Sequence, residues 1–456
     1  MPLKRLLKES SLTLAAMSLG YGVVQLDVTI VNVAVNAIGA SFHGNMAALQ
    51  WVVSSYTITF AAFILSAGAL GDRIGAKRVF IAGFALFTAA SVVCAAAPTL
   101  AVLIAARTVQ GIGAAVLVPN SLALLNHAYA DARERSRAVA FWASGASFTL
   151  TLGPLAGGVL IHLFGWRSIF LVNLPLGLLG LWLTARYAKE TPGNAVRRID
   201  LPGQISAVLA LGLFASVLID GGQAGWTHPH VLFGFTLAMT VAAVFIGIEY
   251  WSDHPMLPLG MFNNRTFRAS TITGVLVNIA FYGLIFVFSL YFQRVHQLSP
   301  LWTGLGFVPM TGACFIANLN IGRISGRFGD RKCIVTGTAL ILLGCLVILG
   351  IEPDTNYVWL LPSFILMGGG LGTMVPPLTH ALLGSVDKAR SGIASGVLTS
   401  SRQTGSVIGV SLFGSLIATA PMMIHGTRIA LGISAGVLLL SCIIELMGMA
   451  AERNAK

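Results

Sequence analysis

The stretch GALGDRIGAKR, Gly68 to Arg78, returns without a gap as GRISGRFGDRK, Gly322 to Lys332. Gly68 aligns with Gly322, Arg73 with Arg327, Gly75 with Gly329 and Lys77 with Arg331. Each copy is a short basic loop joining the second and third long apolar run of a set of six. The copies stand apart by about two runs more than one set would need. This spacing predicts two parallel six-span halves with two further spans inserted between them, and such halves place a ligand site at their interface near the membrane midplane. The expected division is 1–186 for the first half, 187–260 for a linker carrying the two extra spans, and 261–456 for the second half.

Working outward, the apolar runs predict fourteen transmembrane helices, roughly at 11–38, 48–70, 79–97, 100–124, 138–161, 168–186, 203–220, 230–250, 268–292, 302–322, 333–351, 358–380, 391–419 and 428–450. A chain of 456 residues that is 56% hydrophobic and only 10% charged cannot hide that much apolar surface in one soluble core. The runs are continuous and rich in Leu, Ala, Val and Gly, so they predict helices and not barrel strands, which alternate apolar with polar. The fold class is therefore an all-α polytopic membrane protein. The first run is too long for a signal-peptide core and reads as a retained span.

The net charge of +12 suggests nucleic acid only until the charges are placed. Lys4, Arg5, Lys8, Arg73, Lys77, Arg78, Arg133, Arg135, Arg137, Lys189, Arg197, Arg198, Arg323, Arg327, Arg331, Lys332, Lys388 and Arg390 fall on one side of the spans, with Arg167, Arg294 and Arg428 on the other. By the positive-inside rule the amino terminus is cytoplasmic, and an even number of spans returns the carboxyl end, with Arg453 and Lys456, to the same side. Five cysteines lie in or beside spans without CxxC or Cys/His spacing, so neither a metal site nor a disulfide is expected. There is no HExxH, GxSxG or P-loop, and the GxG at Gly111 to Gly113 follows no predicted strand. An enzyme, an ATP-driven pump and a cofactor are therefore all unexpected.

Polar residues inside the spans carry the remaining information. Asp27 lies about 16 residues, roughly 24 Å of helix, into the first span, where an unpaired carboxylate is costly. Arg107, roughly 10 Å into the fourth span from the opposite side, is its natural counter-ion at similar depth. Gln25, Thr29, Asn32 and Asn36 share a helical stripe almost opposite Asp27. Either that stripe lines a solute path while Asp27 meets Arg107 at a helix contact, or the helix is irregular there. Gln50, Tyr56, Phe281, Tyr282, Arg402 and Gln403 are further cavity candidates. Arg402 reads as a network member or a snorkelling side chain, and aromatics such as Phe281, Tyr282 and Phe288 more often meet lipid or neighbours than solute. Asp220, Glu249 and Glu445 read as solvated or interfacial.

Five segments resemble one family. LDVTIVNVAV (Leu26 to Val35), QWVVSSYTITFA (Gln50 to Ala61), ARTVQGIGAA (Ala106 to Ala115), GPLAGG (Gly153 to Gly158) and WRSIFLVNLPLG (Trp166 to Gly177) are together similar to the fourteen-span multidrug:proton antiporter branch of the major facilitator superfamily. The resemblance covers nearly the whole chain. It implies a monomer of the bacterial cytoplasmic (inner) membrane that exports lipophilic or cationic compounds in exchange for protons, Asp27 carrying the proton and Arg107 tuning it. It also implies that the loop Gly68, Asp72, Arg73, Gly75, Lys77, Arg78 is a cytoplasmic latch, although Gly326 replaces Asp72 in the second copy. Gly153, Pro154, Gly157 and Gly158 match an antiporter motif, read as tight packing or as a hinge. The partners expected are a small-molecule substrate, protons and lipid, with no nucleic acid. An exporter of one metabolite or antibiotic fits the same residues; a membrane sensor fits them less well.

Overall fold

The computed structural model describes residues 2–129, 131–193, 200–387, 390–419 and 423–449. Arg197, Arg198, Lys388, Arg453 and Lys456 lie outside the described residues, as do the side chains of Lys4, Arg5 and Lys8.

Each long apolar run becomes a helix. The chain opens with α1 (Pro2–Phe42), α2 (Met46–Ile74), α3 (Ala76–Ala96), α4 (Leu100–Ala128) and α5 (Ala132–Phe164). The expected sixth span is broken into α6 (Ser168–Leu171) and α7 (Asn173–Tyr187). Two helices follow as a hairpin, α8 (Leu201–Ala224) and α9 (Pro229–Trp251). The last set is α10 (Arg265–Leu290), α11 (Pro300–Gly306), α12 (Val308–Phe328), α13 (Asp330–Val347), α14 (Tyr357–Gly384), α15 (Ser391–Thr419) and α16 (Met423–Gly448). Starts are capped where the sequence offers a side-chain acceptor: Asn45 accepts from the Ala48 amide at 2.9 Å, and Asp131 accepts from Arg133 and Glu134.

Among the described residues eleven spans are long and apolar enough to cross a membrane, α6–α7 and α11–α12 each counted as one, or twelve if 133–150 and 152–164, bent by 44°, form one span. The expectation of fourteen runs ahead of that count for a physical reason. α13 is short and opens on Asp330, Arg331 and Lys332, while α15 carries Arg402 amid many Ser, Thr and Gly residues.

Packing follows the repeat. α1 packs on α4, α5 and α7, and α4 on α2 and α3; in the later set α10 packs on α15 and α16, and α14 on α12 and α13. α8 packs on both α2 and α15, which touch each other, so the hairpin stands beside the seam between the two sets. Gly83 and Gly113 let α3 and α4 approach until a Cβ on Gly113 would lie 2.7 Å from the Phe87 amide nitrogen. Gly337 and Gly370 do the same for α13 and α14, each added Cβ falling within 2.6 Å of the other's carbonyl oxygen. The repeat first read in a loop thus extends into backbone contacts.

Gly113→Val should lower the thermal midpoint of the detergent-purified protein by an amount equivalent to about 1–3 kcal/mol, since the added methyls overlap backbone that cannot move independently. Gly436→Ala, where nothing lies within 4 Å, should leave it unchanged or slightly raised. Equal melting curves for Gly113→Val and the parent would contradict the close approach of α3 and α4.

Candidate functional site

Asp27 is fully buried, and Arg107 is 1% exposed. Each would be costly alone, so what surrounds them decides whether the pair is tenable. One carboxylate oxygen accepts from Arg107 Nη1. The other accepts from Gln110 Nε2 at 2.9 Å and from Asn173 Nδ2 at 3.2 Å. Both amides also donate to Ser91 Oγ, at 2.7 and 3.3 Å. Arg107 Nη1 donates in addition to Gln110 Oε1 at 2.7 Å and Nε to the Val52 carbonyl at 3.1 Å, and its guanidinium carbon lies 4.2 Å from the centre of the Tyr56 ring. Residues of α1, α2, α3, α4 and α7 therefore form one network around the ion pair, and every member named belongs to the first set of helices.

The next turn of α1 faces elsewhere. Thr29 Oγ1 donates to the Leu150 carbonyl of α5 at 3.0 Å and borders a small apolar cavity with Pro154, Phe281, Met310 and Cys314. Toward the end of α1 three hydrogen bonds reach the later set: Ser289 Oγ to the Asn32 carbonyl at 2.7 Å, Gln293 Nε2 to the Val33 carbonyl at 3.1 Å, and Arg294 Nε to Asn36 Oδ1 at 3.1 Å. The same helix thus holds the acid on one face and meets the opposing set on the other. The sequence profile described as Major Facilitator Superfamily matches residues 17–410. The chain belongs to the major facilitator superfamily.

It is a polytopic membrane transporter and not an enzyme. Multidrug resistance protein Stp of Mycobacterium tuberculosis is 38% identical over 407 residues, covering 89% of this chain and 76% of that protein. The Methylenomycin A resistance protein of Streptomyces coelicolor is 36% identical, covering 92% and 88%. The drug efflux pump JefA of M. tuberculosis is 34% identical, covering 89% and 80%. The crystal structure of the human organic anion transporter MFSD10 (TETRAN) superposes with a TM-score of 0.66 over 96% of this chain and 99% of that one, at 16% identity, which speaks to fold alone.

The superfamily motifs can now be read physically. In GPLAGG, an added Cβ on Gly153 would lie 1.9 Å from Thr29 Oγ1, one on Gly157 2.9 Å from Ile30 Cγ1, and one on Gly158 2.6 Å from the Pro300 carbonyl oxygen. The motif is a packing seam that seats α5 on α1 and on α11 of the opposite set. In the Gly68 to Arg78 loop, Gly75 has φ +102°, a conformation suited to glycine, and Glu190 receives the freed amides of Lys77 and Arg78 at 2.9 and 3.2 Å. Thr191 Oγ1 accepts from the Ala76 amide, and Lys77 Nζ reaches the Ala185 carbonyl at 3.0 Å. The second copy is tied differently, Asp330 bonding Ser325 and His380.

Several expectations change. Gln50 and Tyr56 do not face open space: the Gln50 amide donates to the Val410 and Ser411 carbonyls of α15, and the Tyr56 ring lies under Arg107. Gln25 and Asn32 are buried, and Asn36 is spent on Arg294. Phe281 borders the small cavity, Tyr282 packs edge-on against it, Gln403 is buried, and Arg402 stays half-buried. Glu249 and Glu445 are not solvated: they are 2% and 0% exposed, Glu445 accepting from Thr273, Thr338 and Ser441. Their places near helix ends concealed the neighbours that cover them. Gln110, Asn173, Ser91 and Glu190 escaped the sequence reading, although Gln110 and Asn173 stand within motifs quoted for the resemblance.

Arg107→Met leaves a buried carboxylate without its cation and should cost about 3–5 kcal/mol, read as a lowered melting temperature in detergent. Adding Asp27→Asn should restore part of that loss, because the stranded charge is then gone. Strictly additive losses would show that the two side chains do not interact.

Proposed function

We propose that this chain is a proton-coupled exporter of lipophilic compounds working by alternating access, with two six-helix halves and α8–α9 as the inserted pair of a fourteen-span bundle. The observation that carries it is α1, which offers Asp27 to Arg107 on one face and, on the other, Thr29 to α5, Asn32 to α10 and Asn36 to the turn that follows α10. Protonation of Asp27 removes the charge that holds Arg107, so the helix that closes the two halves together is released or seated by a proton. The relatives named for multidrug resistance and drug efflux support this reading, and the placement of basic residues supports both termini on the cytoplasmic side of a bacterial inner membrane. The substrates, protons and lipid are its partners, and the chain acts as a monomer. A second reading, an exporter dedicated to one antibiotic, is favoured by the relative named for methylenomycin A alone, and the same network serves it.

In proteoliposomes with an imposed pH gradient, Asp27→Asn should abolish proton-driven dye and antiseptic flux while leaving binding in place, since an amide cannot exchange a proton in the working range. Gradient-driven flux at the parent rate would remove Asp27 from the mechanism. Arg107→Ala should move the pH profile of transport upward, because loss of the guanidinium disfavours the ionised carboxylate beside it. An unmoved profile would refute the tuning role.

Asp72, at the end of α2 in the repeated loop, acts in this reading as a latch that stabilises one access state. Asp72→Asn should slow turnover a few-fold, with little change in affinity, and alter labelling of single cysteines placed on the cytoplasmic cavity wall, a shift of about 0.5–2 kcal/mol between states. Unchanged labelling at matched expression would reduce the loop to a topology signal.

A further inference from the structure

Arg402 has no role in the proton network, yet its position is hard to account for as structure alone. It stands 11 residues into α15, roughly 16 Å along a helix and so near mid-bundle. Its stem lies against α10, where the absent side chain of Gly274 leaves room: a Cβ there would be 3.5 Å from Arg402 Cγ. The guanidinium is within electrostatic reach of Tyr21 on α1, Tyr282 on α10 and Cys314 on α12. Those three helices come from both sets, so groups on both sides of the seam feel this charge. Among the described residues no carboxylate pairs with it, and Asp27 is committed to Arg107. An unpaired cation at this depth is costly, and the half-buried side chain leaves it open to a partner that arrives from outside the chain.

The surroundings define the rest of that partner. Tyr21 stacks on Trp142 with ring centres 4.4 Å apart, and Tyr282 meets Phe281 at 5.5 Å. Ring faces of this kind hold an aromatic or apolar body, and a guanidinium beside them holds a planar anion through two parallel hydrogen bonds. We propose that Arg402 is the recognition residue for an acidic group on the cargo, and that the pump selects amphipaths joining an apolar ring body to a carboxylate or similar anion. This rests on the export reading, and it narrows the cargo class.

The test uses three probes that share one ring body: naphthylacetate, naphthylacetamide and naphthylethylammonium. Binding to the full-length protein in detergent is followed by quenching of tryptophan fluorescence, and flux is followed separately in proteoliposomes. The parent should bind the carboxylate about tenfold more tightly than the neutral amide. Arg402→Met should bind both alike, with affinity for the amide retained as proof of folding, and Arg402→Lys should recover part of the preference. No preference for the carboxylate in the parent, or a preference that survives Arg402→Met, overturns the proposal. Carboxylate-selective binding lost in Arg402→Met but without proton-driven flux of any probe supports the site and counts against the export reading instead.

Discussion

Two charges that neither lipid nor a dry helix contact tolerates alone are tolerable here because they are buried together. Asp27 and Arg107 neutralise each other, Gln110, Asn173 and the Val52 carbonyl add hydrogen bonds to them, and Ser91 accepts from the two amides. A buried ion pair is rarely a net gain for folding compared with apolar side chains of the same size. Its presence among five helices fits the proposal that one of the charges comes and goes. The consequence is mechanical: α1 cannot change the state of Asp27 without changing what holds it to α4 and α7.

That constraint organises the rest of the molecule. α5 must follow α1, because Gly153 and Gly157 bring its backbone against Thr29 and Ile30. The opposite set must follow α5 and α1, because Gly158 meets Pro300 and the Asn32, Val33 and Asn36 contacts tie α1 to the end of α10 and the turn that follows it. In the proposed mechanism a change at this carboxylate is handed through these close backbone contacts to the interface of the two sets. Packed interfaces of this kind switch between discrete arrangements and do not deform smoothly.

How much of this was legible in the sequence follows from what one dimension records. Hydropathy located most of the long helices well, α3 covering Ala76–Ala96 where 79–97 was expected, because burial in lipid is a property of each segment by itself. Depth along a span brought Asp27 and Arg107 together, since helical rise converts residue number to height. What spacing could not supply was which helices are neighbours. Gln110 and Asn173 were visible as polar residues, but nothing in their own segments said that both point at Asp27. Gln50 looked like a cavity residue for the same reason, until α15 proved to supply its acceptors. Glu445 sits near a helix end and reads as interfacial; only the hydroxyls of Thr273 and Thr338, on two other helices, show it to be interior.

Counting the proton directly is the most searching test of the account. Cargo is added to the detergent-purified parent in weakly buffered solution with a pH indicator, and the protons released or taken up per bound molecule are measured across a range of pH. Proton exchange should vary with pH in the parent and be absent in Asp27→Asn at matched occupancy. Equal proton exchange in the two proteins would place the coupling site elsewhere and contradict the central claim.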